Sequence, residues 1–329
     1  MTVGRVLAKL RLRVSAAGAQ RASEHGAQRR AHGRSLGVRC AHPLIMSGSL
    51  ALVLGGCGGE PAAPVASPAR RIVVLAPSAT ETVFALGAGD RVVGVCGQCD
   101  YPAEAAARPK VGGYLTPSVE SVLGATPDLV IAVPSPGNRE AVRAIERAGV
   151  RVLVVQDRQL ADLWTSIETI AGALDIPAEG ARLTTDLRAA LDAVRARIAG
   201  RPRVRVLLVV GHSPLIVAGG GTLQGELLDV AGGDNVAGDV GSAWPQVSPE
   251  LVVARAPDVI LDAAMGTESG ARELFAGLTT VPAVANGRIE AVSSDAIFRA
   301  GPRVAEGAAL LADAVHPDTA RRPAPAPPR

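Results

Sequence analysis

A repeated pattern constrains the fold of this 329-residue chain more than any other feature. Four residues recur with a constant offset of 130 positions: Ser118, Glu120, Val122 and Asp128, then Ser248, Glu250, Val252 and Asp258. In both copies a proline precedes the aspartate and an apolar run follows it. Ser and Glu favour helix starts and Pro-Asp favours turns, so one interpretation is chance similarity of two helix–turn–strand units. The other is a pair of lobes with common architecture, each placing a glutamate on the same local surface.

Short apolar runs alternate with helical segments through the body of the chain. Residues 72–75 are apolar throughout, as in a strand buried on both faces. Ser78 and Glu81 have capping-box spacing and predict a helix start. Strands that alternate with helices imply mostly parallel sheets. The other predicted strands cover 91–95, 129–133, 151–155, 204–210, 259–261 and 289–292, with a helix at 138–148.

A long helical pattern separates the two halves. Residues 158–199 place leucine and isoleucine at intervals of three and four, and Pro177 interrupts them at a position suited to a helix start. The sequence therefore predicts an α/β fold, with two Rossmann-like lobes of mostly parallel sheets joined by a long connector helix. The expected domains are a leader with a lipoprotein-type signal peptide (1–56), a flexible linker (57–70), an N-terminal α/β lobe (71–157), a connector helix region (158–200), a C-terminal α/β lobe (201–316) and a disordered tail (317–329).

The first 57 residues carry export features. The apolar run 43–56 is shorter than a membrane-spanning helix and resembles the hydrophobic region of a signal peptide. It ends in Leu-Gly-Gly before Cys57, which resembles a bacterial lipobox. The alternative is a buried strand that ends in a glycine turn. We expect Cys57 to be lipidated and to anchor a periplasmic or cell-surface protein to a membrane.

Charge and motifs exclude several functions. Residues 1–56 hold nine lysines or arginines and one acid, so the remainder carries 25 bases and 30 acids, a net charge of −5. That body offers no basic stripe for nucleic acid. After the leader, the sequence has none of the motifs G-x-S-x-G, H-E-x-x-H or G-x-x-x-x-G-K-[ST]. We therefore expect a binding protein with no catalytic residues, no resident metal and no cofactor.

Candidate ligand-binding residues lie in loops that follow predicted strands, where open α/β sheets bind ligands. Aromatic residues make up only 2% of the chain, yet Tyr101, Tyr114 and Trp244 all lie beside glycine or proline in such loops. Their rings suit a large flat ligand; the alternative is packing against the protein itself. Ser78 opens the first predicted helix. His212 suits either a ligand or metal contact or a solvated loop.

Cys96 and Cys99 form a C-x-x-C pair after a predicted strand. A zinc site would need two further ligands, and none is placed to supply them. Three interpretations stay open: a local disulfide, two free loop thiols, and a redox motif.

Five segments of the chain resemble the helical-backbone class of periplasmic solute-binding proteins, and within it the cobalamin-binding branch. The resemblance covers residues 71 to about 315. Haem and siderophore binders share its strand and helix segments, whereas Asp-Tyr-Pro together with Trp-Pro-Gln-Val-Ser is more typical of the cobalamin branch. The segments are 75–81, 99–102, 127–132, 228–235 and 244–248.

The resemblance implies that Tyr101, Tyr114 and Trp244 line a corrin site between the lobes, and that cobalamin is transported cargo. It implies that Glu120 and Glu250 pair with arginines of an ABC permease, itself coupled to an ATPase, and we expect the protein to act as a monomer. The repeated acids would then face the transporter, while unrepeated aromatics select the ligand.

The chain departs from the branch at Val133, where cobalamin binders can place another ring. Haem or a ferric siderophore is therefore the alternative ligand, with Tyr101 as a candidate iron ligand.

Overall fold

The computed structural model describes residues 68–264 and 270–317. The predicted lipidation site Cys57, the leader 1–56 and tail residues 318–329 lie outside these residues. No helix within the described ranges is long and apolar enough to cross a membrane.

The N-terminal lobe is built on a parallel four-stranded sheet of order β2-β1-β3-β4. The two central strands, β1 and β3, are buried along their whole length, as their continuous apolar runs predict. The elements of this lobe are β1 (Ile72–Val74), α1 (Pro77–Ala85), a 3-10 turn (Gly89–Arg91), β2 (Val92–Val95), α2 (Ala103–Ala106), α3 (Val119–Gly124), β3 (Leu129–Ala132), α4 (Arg139–Arg147) and β4 (Val152–Val154).

Two antiparallel helices, α5 (Leu160–Ala173) and α6 (Pro177–Ile198), occupy the predicted connector region. The amide of Leu160 donates to Glu226 of the C-terminal lobe at 2.6 Å, whereas Arg91 of the N-terminal lobe donates to the carbonyl of Leu174 at 2.8 Å. The second helix starts at Pro177, as predicted, and returns to the C-terminal lobe, where Arg197 pairs with Asp313 at 2.9 Å. A 22-residue helix therefore joins the lobes, with a shorter one packed along it.

The C-terminal lobe has a mixed sheet of order β6-β5-β8-β9, with β7 also paired to β5. Only the β5–β6 pair is antiparallel among these ladders. The elements are β5 (Val204–His212), β6 (Leu215–Val217), α7 (Leu223–Val230), β7 (Gly233–Asn235), α8 (Pro249–Arg255), β8 (Val259–Asp262), α9 (Gly270–Phe275), α10 (Pro282–Ala285), β9 (Ile289–Ala291), α11 (Asp295–Phe298) and α12 (Val304–Val315).

One buried apolar cluster runs through both lobes and the connector helices. It includes Ile72 and Leu129 of the first sheet, Leu163 and Leu187 of α5 and α6, and Leu208 of the second sheet. The two-lobed α/β prediction is confirmed, and the two sheets and the connector helices share this core.

The predicted capping box at Ser78 is wrong. Helix α1 begins one residue earlier, at Pro77, and its N-cap Ala76 has no side-chain hydrogen bond. Proline at the first helical position needs no partner for an amide hydrogen, so the helix starts without a polar cap. Ser78 is thereby free to donate elsewhere.

Candidate functional site

A cavity of about 460 Å³ lies between the lobes, beside loops that follow β1, β4 and β9. Its walls contain three of the predicted site residues: Ser78, Tyr114 and Trp244. The N-terminal lobe also contributes Pro77, Asp157 and Arg158, and the C-terminal lobe contributes Gly221, Thr222, Leu223, Gln224, Ala243, Phe298 and Arg299.

Tyr114 and Trp244 occupy equivalent places in the two lobes. They are 130 residues apart, and each lies four residues before the serine that caps the next helix, Ser118 or Ser248. The expectation that the cleft aromatics are unrepeated is therefore wrong. Each copy of the repeat contributes one aromatic ring to the same cavity.

Ser78 contacts a carboxylate in this cavity. Its Oγ donates to Oδ2 of Asp157 at 2.8 Å. Burial raises the pKa of Asp157, the hydrogen bond from Ser78 lowers it, and nearby Asp162 raises it again, with a net upward shift. Burial and the charge of Asp157 also raise the pKa of Tyr114. The phenol is therefore held in its protonated form more firmly than an exposed tyrosine.

A cluster of ion pairs crosses from one lobe to the other beside the cavity. Glu81 of α1 is 2% exposed and accepts from Arg299 at 3.0 Å and from Arg303 at 2.7 and 2.9 Å. Arg299 also pairs with Asp100 at 2.9 Å and with Asp295 at 2.7 Å. The guanidinium of Arg299 is thus held by three carboxylates that come from both lobes.

The sequence reasoning missed Asp157, Phe298 and Arg299. Phe298 is 37% exposed at the end of the one-turn helix α11 and adds a third ring to the cavity. Its rarity, as one of only three phenylalanines in the chain, was a usable signal in the sequence. Nothing in the sequence around Asp157 or Arg299 distinguishes them from ordinary surface charges.

Tyr101 does not line this cavity. Its ring lies under the Arg303 guanidinium, 4.1 Å from Cζ to the ring centroid, and forms part of a separate cavity of about 850 Å³. The walls of that larger cavity mix acids and arginines, among them Glu179, Arg108 and Arg182. We take the smaller cavity as the candidate ligand site, because it lies at the carboxyl ends of strands and is lined by three aromatic rings from the two lobes.

His212 is the last residue of β5 and faces Asp262, not the inter-lobe cavity. Its Nε2 lies 2.9 and 3.0 Å from the two carboxylate oxygens of Asp262. Those oxygens also accept from the amides of Ala264 and Ala271. This contact ties the start of the β5–β6 hairpin turn to the last residue of β8.

Cys96 and Cys99 are joined by a disulfide, and both residues are buried. The bond closes the loop between β2 and Asp100, which holds Arg299. Within the described ranges no group of three or more His, Cys, Asp or Glu side chains is arranged to hold a metal ion.

Glu120 and Glu250 lie on the surface at the second residue of α3 and α8, respectively. Each helix is capped by the hydroxyl of the repeated serine, which accepts from the amide three residues later. A hydrogen bond with Ser248 and one with its own backbone lower the pKa of Glu250. The two lobes therefore present one exposed carboxylate each in the same local setting.

Comparison with known proteins identifies the family to which the chain belongs. The sequence profile of the periplasmic binding protein family matches residues 72–296. The chain is 31% identical over 239 residues to the vitamin B12-binding protein of Vibrio parahaemolyticus, covering 72% of this chain and 86% of that one. It is 33% identical over 257 residues to an uncharacterised ABC transporter substrate-binding lipoprotein of Bacillus subtilis, covering 76% and 81%.

Among solved structures, the apo form of a periplasmic haem-binding protein from Roseiflexus superposes with a TM-score of 0.66 at 33% identity, covering 75% of this chain and 99% of that one. With a family profile that spans most of the chain and a shared two-lobed fold, this protein belongs to the periplasmic binding protein family.

Proposed function

We propose that this protein captures cobalamin or a related corrinoid in the inter-lobe cavity and delivers it to an ABC permease. The observation that carries the proposal is the convergence of Tyr114, Trp244 and Phe298 on one cavity between the lobes. Aromatic rings give a flat macrocycle a large contact area at little conformational cost. The Vibrio parahaemolyticus relative, named for vitamin B12 binding, supports this ligand class.

Haem is the second candidate, favoured by the likeness to the Roseiflexus haem-binding protein. Two features of the site argue against iron ligation by a phenolate. Tyr101 lies under Arg303 in the other cavity, and the raised pKa of Tyr114 disfavours its deprotonated form. Corrinoid binding needs only stacking, apolar contact and hydrogen bonds from these walls.

The test is equilibrium binding of purified protein to cobalamin, haem and a ferric siderophore. We expect saturable binding of cobalamin, weakened by about tenfold in Trp244→Leu and in Tyr114→Leu, since a buried ring contributes on the order of 1–2 kcal/mol. Trp164→Leu is the matched control, because Trp164 stacks with Arg188 on the connector helices. Binding of haem alone, with a Soret shift lost in Tyr101→Phe or Tyr114→Phe, would overturn the cobalamin proposal.

Delivery rests on Glu120 and Glu250, whose equivalent exposed positions suit a partner with two matched basic sites. Replacing both by alanine is expected to abolish transport while ligand affinity stays unchanged. Glu140→Ala with Glu273→Ala removes two other helix-surface acids and serves as the control. Transport at the wild-type rate in the double variant of Glu120 and Glu250 would contradict this docking role.

The anchor rests on Cys57, supported by the lipobox-like sequence and by the Bacillus subtilis relative that is named a lipoprotein. Cys57→Ser is expected to move the protein from the membrane fraction to the soluble fraction. Retention in the membrane fraction would rule out attachment through this cysteine.

A further inference from the structure

Asp157 has a position in the cleft that stacking alone leaves unexplained. It follows β4, lines the cavity beside Tyr114, and receives a hydrogen bond on Oδ2 from Ser78 at 2.8 Å. Among the described residues, this is the one hydrogen bond that the carboxylate receives. The second oxygen, Oδ1, is not among the buried polar atoms, so it is open to the cavity. The geometry leaves Oδ1 available to accept a hydrogen bond from a ligand.

The charges around the cavity do not neutralise this carboxylate. The adjacent residue Arg158 is 72% exposed at its side chain and pairs with Asp162 at 3.5 Å, so its guanidinium is shared with a second acid. Burial is the largest cause of the upward shift in the pKa of Asp157; the charge of Asp162 adds to it, while the hydrogen bond from Ser78 and the charge of Arg158 oppose it. A further negative charge placed here would meet the same repulsion.

The opposite wall gives no compensation. Arg299 lines the cavity, but Glu81, Asp100 and Asp295 already contact its guanidinium at 2.7–3.0 Å. Two guanidiniums and one carboxylate line the cavity, but each of the two arginines is already paired with an acid. A ligand edge that bears carboxylates would meet like charge, which costs several kcal/mol when it is desolvated.

We infer that Asp157, held by Ser78, is a specificity-determining residue that selects a macrocycle with carboxamide donors at its edge and rejects one with carboxylates. The inference rests on the proposed corrinoid function and deepens it. It specifies which part of the ligand Asp157 recognises. The amide side chains of a corrin donate hydrogen bonds to Oδ1, whereas the carboxylate of Asp157 repels the propionates of haem.

The test compares two corrinoids that share one ring and differ at its edge. Dicyanocobinamide carries carboxamides, and dicyanocobyrinic acid carries carboxylates at the corresponding positions. We expect the wild-type protein to bind the amide form at least about tenfold more tightly, and Asp157→Asn to reduce that ratio by about tenfold. Asp157→Glu keeps the charge and is expected to retain the preference. Asp192→Asn, an exposed acid on α6 that pairs with Arg195, should leave the ratio unchanged.

The possible failures are distinct. If the wild-type protein binds the amide corrinoid and Asp157→Asn leaves the ratio unchanged, the role of Asp157 is overturned while the corrinoid function stands. A wild-type preference for the carboxylate form would also overturn it. If neither corrinoid binds, the proposed function fails, and haem against haem dimethyl ester then tests the carboxylate rejection. Preference for haem over its ester would overturn that rejection too.

Discussion

The two lobes share one unit and differ in what precedes it. Residues 118–132 and 248–262 each contain a serine-capped helix with a glutamate at its second position. Each helix is followed by a left-handed residue, Thr126 or Ala256, then by proline, aspartate and a buried strand. The aspartate in both lobes accepts from the backbone amide of an arginine: Arg71, which precedes β1, or Arg205, the second residue of β5.

The same arginines make equivalent side-chain contacts. Arg71 donates to the carbonyls of Ala125 and Thr126, and Arg205 donates to those of Arg255 and Ala256. The guanidinium thus satisfies carbonyls that the end of a helix leaves without partners. The repeat first noticed in the sequence is therefore a structural unit with its own stabilising contacts.

The lobes differ after their first strand. In the N-terminal lobe β1 runs directly into α1, which carries Ser78 and Glu81 to the inter-lobe surface. In the C-terminal lobe β5 continues into a hairpin that His212 ties to Asp262. The shared unit therefore places the exposed acid, and the cleft aromatic lies four residues before its serine cap in each lobe. The inter-lobe ion pairs and the cleft carboxylate come from unshared elements.

The largest expected loss of stability comes from removing an inter-lobe ion pair, which belongs to the elements that the lobes do not share. Glu81→Ala leaves Arg299 and Arg303 beside a buried site that has lost its carboxylate, and breaking such a pair costs about 3–5 kcal/mol. Urea denaturation of the wild-type protein and the variant measures this change in the free energy of unfolding. Glu140→Ala removes an exposed acid that pairs with Arg143 and is expected to cost under about 1 kcal/mol. Equal losses in the two variants would mean that the inter-lobe cluster adds no stability.

The arginine contacts of the shared unit provide the next comparison. Arg71→Met and Arg205→Met each remove two hydrogen bonds to carbonyls, and each is expected to lower the free energy of unfolding by about 1–2 kcal/mol. Arg71 should cost at least as much, because its Nε contact is 2.9 Å against 3.4 Å for Arg205. Arg143→Met on exposed α4 is the control. If only one of the two variants, Arg71→Met or Arg205→Met, lost stability, the two arginines would not have equivalent roles.

The serine caps test the unit more finely. Ser118→Ala and Ser248→Ala each remove a helix cap, at an expected cost of about 1 kcal/mol in thermal or chemical unfolding. Ser121→Ala lies in the same helix as Ser118 but its side chain caps nothing, so it should not destabilise the protein. A cost in Ser121→Ala equal to that in Ser118→Ala would contradict the capping role.

The smallest effect concerns the charge of Glu250. Hydrogen bonding to Ser248 holds its pKa below the ordinary value of 4.5, so the carboxylate persists into more acidic solution. Because the folded pKa is depressed, the associated stabilisation is present above the unfolded pKa and is lost as pH falls through the folded value. NMR titration should show the pKa rising toward 4.5 in Ser248→Ala and remaining unchanged in Ser118→Ala. An unchanged pKa in Ser248→Ala would exclude the hydrogen bond as its cause.

The fold was largely predictable because its signals are local. Strands buried on both faces must be apolar along their length, so β1 and β3 stood out within a residue of their true limits. The start of α6 at Pro177 was equally local. The start of α1 was missed because a proline at the first turn replaced the polar cap that the Ser-x-x-Glu spacing suggested.

The site was only partly predictable because its contacts are distant in sequence. Tyr114 and Trp244 could be found from their flanking residues, and their common offset was already visible. Glu81 and Arg303, however, are separated by 222 positions, and no local pattern connects them. Tyr101 lies beside a proline in a loop, as the cleft aromatics lie beside glycine or proline. Its ring nevertheless packs against Arg303 and lines another cavity. Residue type and flanking sequence do not specify which wall a loop faces.

The buried position of Glu81 also bears on the rate at which cargo leaves. A rotation that widened the cleft by separating α1 from the segment between α11 and α12 would pull this carboxylate from two guanidiniums before water had replaced them. Opening by that route would therefore be slow, and in the proposed function a bound molecule would stay for as long as the pairs hold. A receiving protein that offered charges to replace these pairs would lower the barrier, so the lifetime of the loaded state would be set at the point of handover.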